Sequence, residues 1–297
     1  MKKKKFHIPG WSKFLGYSLP VKITLIFFFL FFVAEAIISL YPMLWAFNNS
    51  IKTAEEYYES TTALTTTWSF HNYADVLKDF KVGNIGILTM LWNAIWETAM
   101  YLGANLISSM FVAYALAKFR FPGHEFLWGF LIFIQIIPIF GTGASSYKLF
   151  YELGFVNNPA LIWIAWGGGF DYSAFILYGT FKGIDNAYSE AAKLDGATNA
   201  QILFKLLFPM AFPALLALMV TNFVGRWNDY TVSQIYMNKY PNLAYGLFAY
   251  KKASQYAEGS IGSYFAATIA TAIPGVVLYT VFQNTILKNM VVGGIKG

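Results

Sequence analysis

The chain has no cysteine, three histidines and few charges: Asp, Glu, Lys and Arg make up only 12% of its 297 residues. Without cysteine there is no disulfide framework, thiol nucleophile or thiolate metal site. His7, His71 and His124 lie far apart in different segments, which argues against a metal centre built on histidine. No Gly-x4-Gly-Lys phosphate loop occurs, so the chain carries no motif for hydrolysing a nucleotide. The shortage of charge excludes most. Soluble domains carry about 25% charged residues, and half that fraction leaves too little polar surface for a chain of this length.

What is present is hydrophobicity in blocks, 57% of residues overall with 20% aromatic. A helix that crosses a bilayer core needs about 20 mostly apolar residues. Six stretches qualify: 23–47, 88–116, 126–146, 159–181, 206–230 and 264–287. The sequence therefore reads as an all-α integral membrane protein. Ala34-Glu35-Ala36 imitates a signal-peptide cleavage site, but the apolar run continues to Phe47 and reads as a retained span. Residues 1–22 form a basic tail with Lys2, Lys3, Lys4, Lys5, Lys13 and Lys22. By the positive-inside rule this tail is cytoplasmic and faces anionic lipid, and an even number of spans returns the C-terminus to the same side. The net charge of +6 thus reads as membrane orientation rather than nucleic-acid binding. Between the spans, 48–87 holds Thr-rich sequence and an amphipathic stretch from Tyr73 to Phe80, and 231–263 reads as an irregular loop around Pro241.

The segment from Phe181 to Pro213 carries the most local information. Asp185 is placed to cap a short helix ending near Leu194, with Ala187, Ala191 and Ala192 leaving much of its surface flat. Gly196 permits the positive-φ turn that ends such a helix. Thr198 and Gln201 have the spacing of a capping box for the next helix, and Pro209 should kink that helix where it enters the membrane. Small side chains on a short surface helix suit docking in a groove of another protein, although an ordinary amphipathic loop helix has the same composition.

Three acids fall inside apolar spans, where a lipid-facing charge costs several kcal/mol. Glu35 is expected to bond a partner helix. Glu97, one turn from Asn93 and Tyr101, reads equally as a buried inter-helix network or a transport group. Asp171 follows Gly167-Gly168-Gly169 and Trp163 and Trp166. It is either a packing point or a saccharide contact, since indole faces stack on sugar rings and carboxylates accept hydroxyl hydrogen bonds. An ion-coupled transporter using Glu35, Glu97 or Asp171 is the rival reading from composition.

Glu190-Ala191-Ala192, Asp195-Gly196-Ala197, Pro209 and Pro213 stand where the EAA motif stands in binding-protein-dependent ABC importer permeases, and the chain resembles the carbohydrate-uptake group of that family. Residues 114–123, YALAKFRFPG, match the stretch after its second span. Gln135, Pro138 and Tyr147 fit its third-span region, Trp227-Asn228-Asp229 its fifth-span signature, and residues 293–297 its usual ending. Gly141-Thr142-Gly143 departs from the prolines that many members have there.

The resemblance implies six transmembrane helices over 23–297 with a cytoplasmic EAA coupling helix, in which Glu190, Ala191, Ala192, Asp195, Gly196 and Ala197 are received by a separate ATPase dimer. ATP and Mg belong to that ATPase, and no cofactor or metal to this chain. It further implies a second homologous permease, an extracytoplasmic binding protein, a carbohydrate substrate moved by alternating access, and an inner-membrane location. An importer for a non-sugar solute fits the same motif. Gln135, Tyr147, Asp171, Tyr172, Asn222, Trp227 and Asn228 are the candidates along the substrate path. Tyr240, Asn242, Tyr245, Lys251 and Tyr256 are the positional candidates for contact with the binding protein.

Overall fold

A computed structural model describes residues 16–137, 141–254 and 261–292, with side chains at 278 and from 281 onward outside the description. The basic residues Lys2 to Lys13, Pro138, Tyr256 and the ending 293–297 therefore lie outside the described residues. The chain is helical throughout, apart from one hairpin of β1 (Lys81–Val82) and β2 (Ile85–Gly86), paired antiparallel. Three helices are long and apolar enough to cross a membrane: α1 (Leu19–Ser50), α4 (Ile87–Lys118) and α10 (Asn199–Trp227). At about 1.5 Å per residue, a helix of 32 residues such as α1 or α4 exceeds the ~30 Å hydrocarbon core. The last helix, α13 (Ile261–Val292), has the same length.

Two of the expected spans are not continuous. α5 (His124–Ile136) has only 13 residues and closes at Ile137, whose ψ of 113° is extended. Pro138 follows, and a residue before proline is pushed out of the helical region. Gly141 then takes φ +82° before α6 (Gly143–Glu152) begins, so 126–146 is two helices. The fourth expected span divides into α7 (Ile162–Trp166) and α8 (Tyr172–Gly183). The glycines between them make this break. Gly169 has φ +69°, and a Cβ there would lie 3.0 Å from Val112 Cγ2 and 3.2 Å from the Ser108 carbonyl on α4. Irregular backbone at membrane depth survives only where protein covers it or water reaches it, and here α4 covers it.

The region from 231 to 263 is a correction of a different kind. In place of an irregular loop it holds α11 (Thr231–Ile235) and α12 (Leu243–Ser254). Asn242 starts the second by accepting the Tyr245 N–H at 2.9 Å, and Leu243 and Gly246 bury one face. The amphipathic stretch near Tyr73 does form a helix, α3 (His71–Asp79).

α4 is the spine. Its C-terminal half packs with α8, α5 and the start of α10 in one apolar core that includes Met110, Ala113, Leu131, Leu177, Phe181 and Leu207. Its N-terminal half belongs to a second core with Val76, Phe80, Leu243, Ala266 and Ala267, drawn from α3, α12 and α13. α1 is peripheral: it packs against α13, and within its most apolar stretch no residue is buried by this chain. α10 absorbs its prolines without breaking. Residues Ile202–Leu207 widen into a π turn in which the Phe208 N–H reaches Leu203 O, one turn ahead of Pro209. The kink expected at Pro209 is thus met by a wider winding.

Beyond α1 the loop is sewn to the helix end. Asn72 Nδ2 donates to Ser50 O and Lys52 O, and the buried Lys52 ammonium donates to Ser60 O at 2.7 Å. Glu56, on α2 (Ala54–Glu59), gathers Thr67 Oγ1 at 2.6 Å, the Thr66 N–H and hydroxyl, and Thr65 Oγ1 at 2.9 Å. These donors, the Thr67 hydroxyl first, hold its carboxyl down to about 2 from the ordinary 4.5.

Two outcomes follow. A carboxyl with a lowered folded pKa adds stability above its ordinary range and loses it as pH falls through the folded value. Amide exchange at Thr65 to Thr67, normalised for intrinsic rates, should therefore rise between pH ~4.5 and ~2, while α4 stays protected. Gly169→Ala forces a left-handed alanine against Ser108 and should cost about 1–3 kcal/mol, read as a lower melting temperature of the purified protein.

Candidate functional site

Three clusters of chemistry are held by α4 and its neighbours. The first is the surface helix α9 (Asn186–Leu194). Asp185 caps it by accepting the Ala187 N–H at 2.9 Å. At its other end Gly196 has φ +84°, the Gly196 N–H bonds Lys193 O at 3.0 Å, and the Ala197 N–H bonds Ala192 O at 2.9 Å. This is the Schellman closure that a left-handed glycine allows. Thr198 and Gln201 form both halves of the capping box, so α10 starts at once. The segment is therefore a helix–turn–helix of fixed geometry with no slack between its parts.

α4 also grips this segment from behind. Lys118 Nζ donates to Ile184 O at 2.6 Å and to Asn186 Oδ1 at 2.8 Å, tying the start of α9, while Tyr114 OH donates to Asn199 O at the start of α10. Ala192 and Ala197 face the core. The opposite face is open: Ala187, Tyr188, Glu190 and Ala191 are exposed, and Leu194 is 90% exposed. Leu194 and the alanines give this helix a small exposed apolar face.

The second cluster lies where the fourth span breaks. Asp171 caps α8 by accepting the Ala174 N–H at 3.0 Å. Asn105 Nδ2 at 2.6 Å and Ser109 Oγ at 2.8 Å, both from α4, donate to the same carboxylate. Asn222 of α10 donates to Asn105 Oδ1 and Ser173 Oγ, which closes a three-helix junction. The two candidates Asp171 and Asn222 thus meet, each already bonded within the chain. Tyr172, next to them, points outward and is exposed.

The third cluster is a buried ion pair. Arg226 Nη2 on α10 donates to Glu97 Oε1 on α4 at 2.8 Å, with both side chains nearly inaccessible. Asn242 Nδ2 takes the second carboxylate oxygen at 2.9 Å and also bonds Asp229 O. The guanidinium lies 4.2 Å from the Trp166 ring centroid and 5.1 Å from that of Tyr101. Asn93, one turn before Glu97, donates to Pro241 O at 2.9 Å. Of the two readings of Glu97, the arrangement is the inter-helix network.

Arg226 was missed as a functional residue. Its signal was available: an arginine inside an apolar span needs an acid, and Glu97 was the acid lacking a partner. Asn105, Ser109 and Ser173 carried no signal, because small polar residues are common in membrane helices. Asn242 is corrected. Only 2% exposed, with its amide spent on Glu97 and Asp229, it offers no surface to a binding protein. Tyr240 and Tyr245 are half-buried and Lys251 is exposed. Trp227 and Asn228 line a cavity of about 520 Å³ between α4, α10 and α13. Gln135 on α5 and Tyr147 on α6 are exposed on separate elements, and neither lines that cavity.

A bundle of long apolar helices joined by buried polar junctions defines a multi-pass membrane protein. The chain belongs to the family of binding-protein-dependent transport system inner membrane components, whose model matches residues 105–291 and so covers all three clusters in part. It is 29% identical over 262 residues to a diacetylchitobiose uptake permease of Streptomyces coelicolor, covering 86% of this chain and 83% of the relative. A galactooligosaccharide transport permease of Bacillus subtilis is 23% identical over 93% of this chain and 96% of its own length. The maltose/maltodextrin permease MalG of Escherichia coli is 28% identical over 71% of this chain and 73% of its own. The fold matches a chain of a bacterial ABC transporter that imports the acidic polysaccharide alginate. The TM-score is 0.74 at 24% identity, covering 90% of this chain and 98% of that one.

Removing one member of the buried pair leaves the other charge stranded. Glu97→Ala or Arg226→Ala should each cost about 3–5 kcal/mol, while replacing both by apolar residues of similar volume should cost much less. Thermal melting of the four proteins in detergent measures this directly, and three equal losses would show that the pair is not the unit.

Proposed function

We propose that this chain is one of two permease subunits of a binding-protein-dependent ABC importer that carries an oligosaccharide or related carbohydrate across the inner membrane. The bare face of α9 carries the coupling part of the reading. Of its six motif residues, Glu190 to Ala192 lie on a short capped helix and Asp195 to Ala197 in the turn that closes it, and α4 grips this unit from behind while α10 continues it without a flexible link. A groove on a cytoplasmic ATPase dimer would cover Leu194, Tyr188 and the alanines. Any displacement of that groove would pass into α4 and α10 as one body. ATP and Mg act on the ATPase alone. Because ATP and loaded binding protein both favour the outward-facing state, each promotes the other's binding.

In this reading α1, α4, α5–α6, α7–α8, α10 and α13 are the six spans, and both termini face the cytoplasm. The basic tail and the position of α9 support that orientation. Glu35 supports a second permease. It is exposed in the middle of α1, with no partner among the described residues, and a lone carboxylate at that depth requires a polar group from another chain. The ion-coupled alternative is weakened because Glu97 and Asp171 already have donors on both carboxylate oxygens. The carbohydrate part rests on the relatives, whose names cover diacetylchitobiose, galactooligosaccharides and maltodextrin.

The test is ATPase activity of the complex in lipid, assembled with its neighbouring permease, ATPase and binding protein. Leu194→Asp should prevent ATPase association. Gly196→Pro, which cannot adopt φ +84° and deletes the N–H to Lys193, should leave insertion intact and abolish stimulation. Full stimulation in both variants would remove α9 from the coupling role, and stimulation by non-sugar solutes alone would move the substrate class.

A further inference from the structure

A second cavity, of about 320 Å³, opens between the end of α10, α12 and α13, and its chemistry differs from that of the first. The larger cavity is lined almost wholly by aliphatic and aromatic side chains of α4, α10 and α13. The smaller one mixes aromatic faces with polar groups: Trp227, Tyr230 and Tyr264, with Asn228, Thr271 and Lys251. Trp227, Asn228 and Ala272 line both, so the two form one groove along α10 and α13 with a polar mouth and an apolar floor.

Several groups at the mouth are unspent. Trp227 is 6% exposed; its indole N–H has no hydrogen-bond partner among the described residues and is not itself a fully buried atom, so it is open to the groove. Asn228 donates its amide to Val224 O at 2.8 Å, which leaves its side-chain oxygen to accept. Thr271 donates to Thr268 O and keeps its lone pairs. Among the described residues Lys251 forms no ion pair and no carboxylate lines the cavity.

The aromatic wall is held flat from behind. Tyr230 stacks on Phe248 at 4.4 Å and 9° between planes, and the Lys252 ammonium lies 4.6 Å from the Phe248 centroid. Lys252 is thereby occupied, whereas Lys251, its neighbour, stands at the opening. The Tyr230–Phe248 stack pre-sets a flat apolar face at low entropy cost, as a ring-binding wall requires.

An apolar face, an indole donor, amide and hydroxyl acceptors and one ammonium match a pyranose ring. Its C–H face is apolar, and its equatorial hydroxyls both donate and accept. The size is at the lower end of the ~300–1,000 Å³ usual for small-molecule sites, which fits one ring rather than a whole oligosaccharide. We propose that this cavity is a saccharide subsite on this chain, holding one ring of the incoming substrate against Tyr230 and Trp227 with Lys251 on an oxygen of a ring substituent. The proposal rests on the carbohydrate reading above. It goes further in placing a substrate contact on this subunit and in assigning its charge preference. With an ammonium and no acid in the lining, uronic and neutral rings are accepted and amino sugars are rejected.

The experiment is saturation-transfer-difference NMR on the assembled permease–ATPase complex in lipid nanodiscs, without binding protein. The probes are maltotriose, diacetylchitobiose, a galactose trimer, a mannuronate trimer and a fully deacetylated glucosamine trimer. Transfer to ring protons of at least one neutral or uronic probe is expected, strongest for mannuronate, with none to the glucosamine trimer. Lys251→Glu should weaken mannuronate binding about tenfold, as expected for loss of a charge-assisted hydrogen bond, and admit the glucosamine trimer. Tyr230→Ala should weaken all accepted probes alike. Lys251→Gln, which keeps the length without the charge, should lose the uronate preference alone. Both side chains are accessible, so assembly of the complex serves as the folding control.

Transfer that is the same in wild type and in all three variants would place the sugar elsewhere and overturn the subsite. So would variants that change only the affinity of the binding protein for the complex. A complex whose ATPase responds to sugar-loaded binding protein, yet which shows no transfer to any probe, overturns the subsite and leaves the carbohydrate reading intact. A complex that responds to no sugar at all removes both.

Discussion

The buried pair of Glu97 and Arg226 is the contact on which the half of the molecule around α12 depends. Neither charge can reach water, so each is tolerable only while the other is in place. That requirement fixes the register of α10 against α4. It also recruits Asn242, whose amide bonds Glu97 while its oxygen accepts the Tyr245 N–H in the first turn of α12, so α12 is keyed to the same carboxylate. Trp166 and Tyr101 close over the guanidinium, which brings in the end of α7 immediately before the glycine break. Four separate segments converge on two charges. An apolar contact of equal area would leave them free to slide.

The glycine break and the junction around Asp171 form the second constraint, and they solve the problem the first one creates. α7 must stop where it does for Trp166 to lie on Arg226, and the backbone released by stopping there needs partners. Gly169 turns the chain against the α4 backbone, and Asp171 restarts the helix with its own side chain. Asn105 and Ser109 anchor that carboxylate to the spine. The polar groups at this junction are thus all bonded within the chain. The groove proposed as a saccharide subsite adjoins it along α10, where Trp227 and Asn228 follow Arg226 directly.

How much of this the sequence discloses depends on the range of the cause. Capping signals act over three or four residues, and all of them around α9 form as read: Asp185, the left-handed Gly196, and the Thr198–Gln201 box. The apolar blocks likewise mark α1, α4 and α10. Interruptions were harder to see, because hydrophobicity averages across Pro138 and Gly141 and across Gly167 to Gly169 and reports one span where the backbone makes two helices. The helix α12 was hidden for a related reason. Its Tyr, Lys and Gly composition is that of a loop, and what makes it helical is burial of Leu243 and Gly246 against Phe80 and Met90, residues far away in sequence. Long-range partnerships such as Arg226 with Glu97 were legible only as a need, an acid and a base each lacking a counterpart. Nothing in a single sequence says that one answers the other.

The two functional ends share their supports. Lys118 and Tyr114, which grip α9 and the start of α10, lie at one end of α4, and Glu97 and Asn93, which key α12 and its preceding turn, lie toward the other. α10 likewise begins at the capping box and ends at Trp227 beside the mouth of the groove. Both long helices are clamped to each other at three heights: by the apolar core near Leu207, by Asn105 with Asn222, and by Glu97 with Arg226. Two helices joined at three points do not shear easily, so in the coupling role proposed for α9 a push on it would tilt the pair as one piece. The same tilt carries α12 and the groove mouth with it. The bundle thus has no need of a separate signalling pathway through its interior; rigidity is sufficient, and the polar junctions supply it.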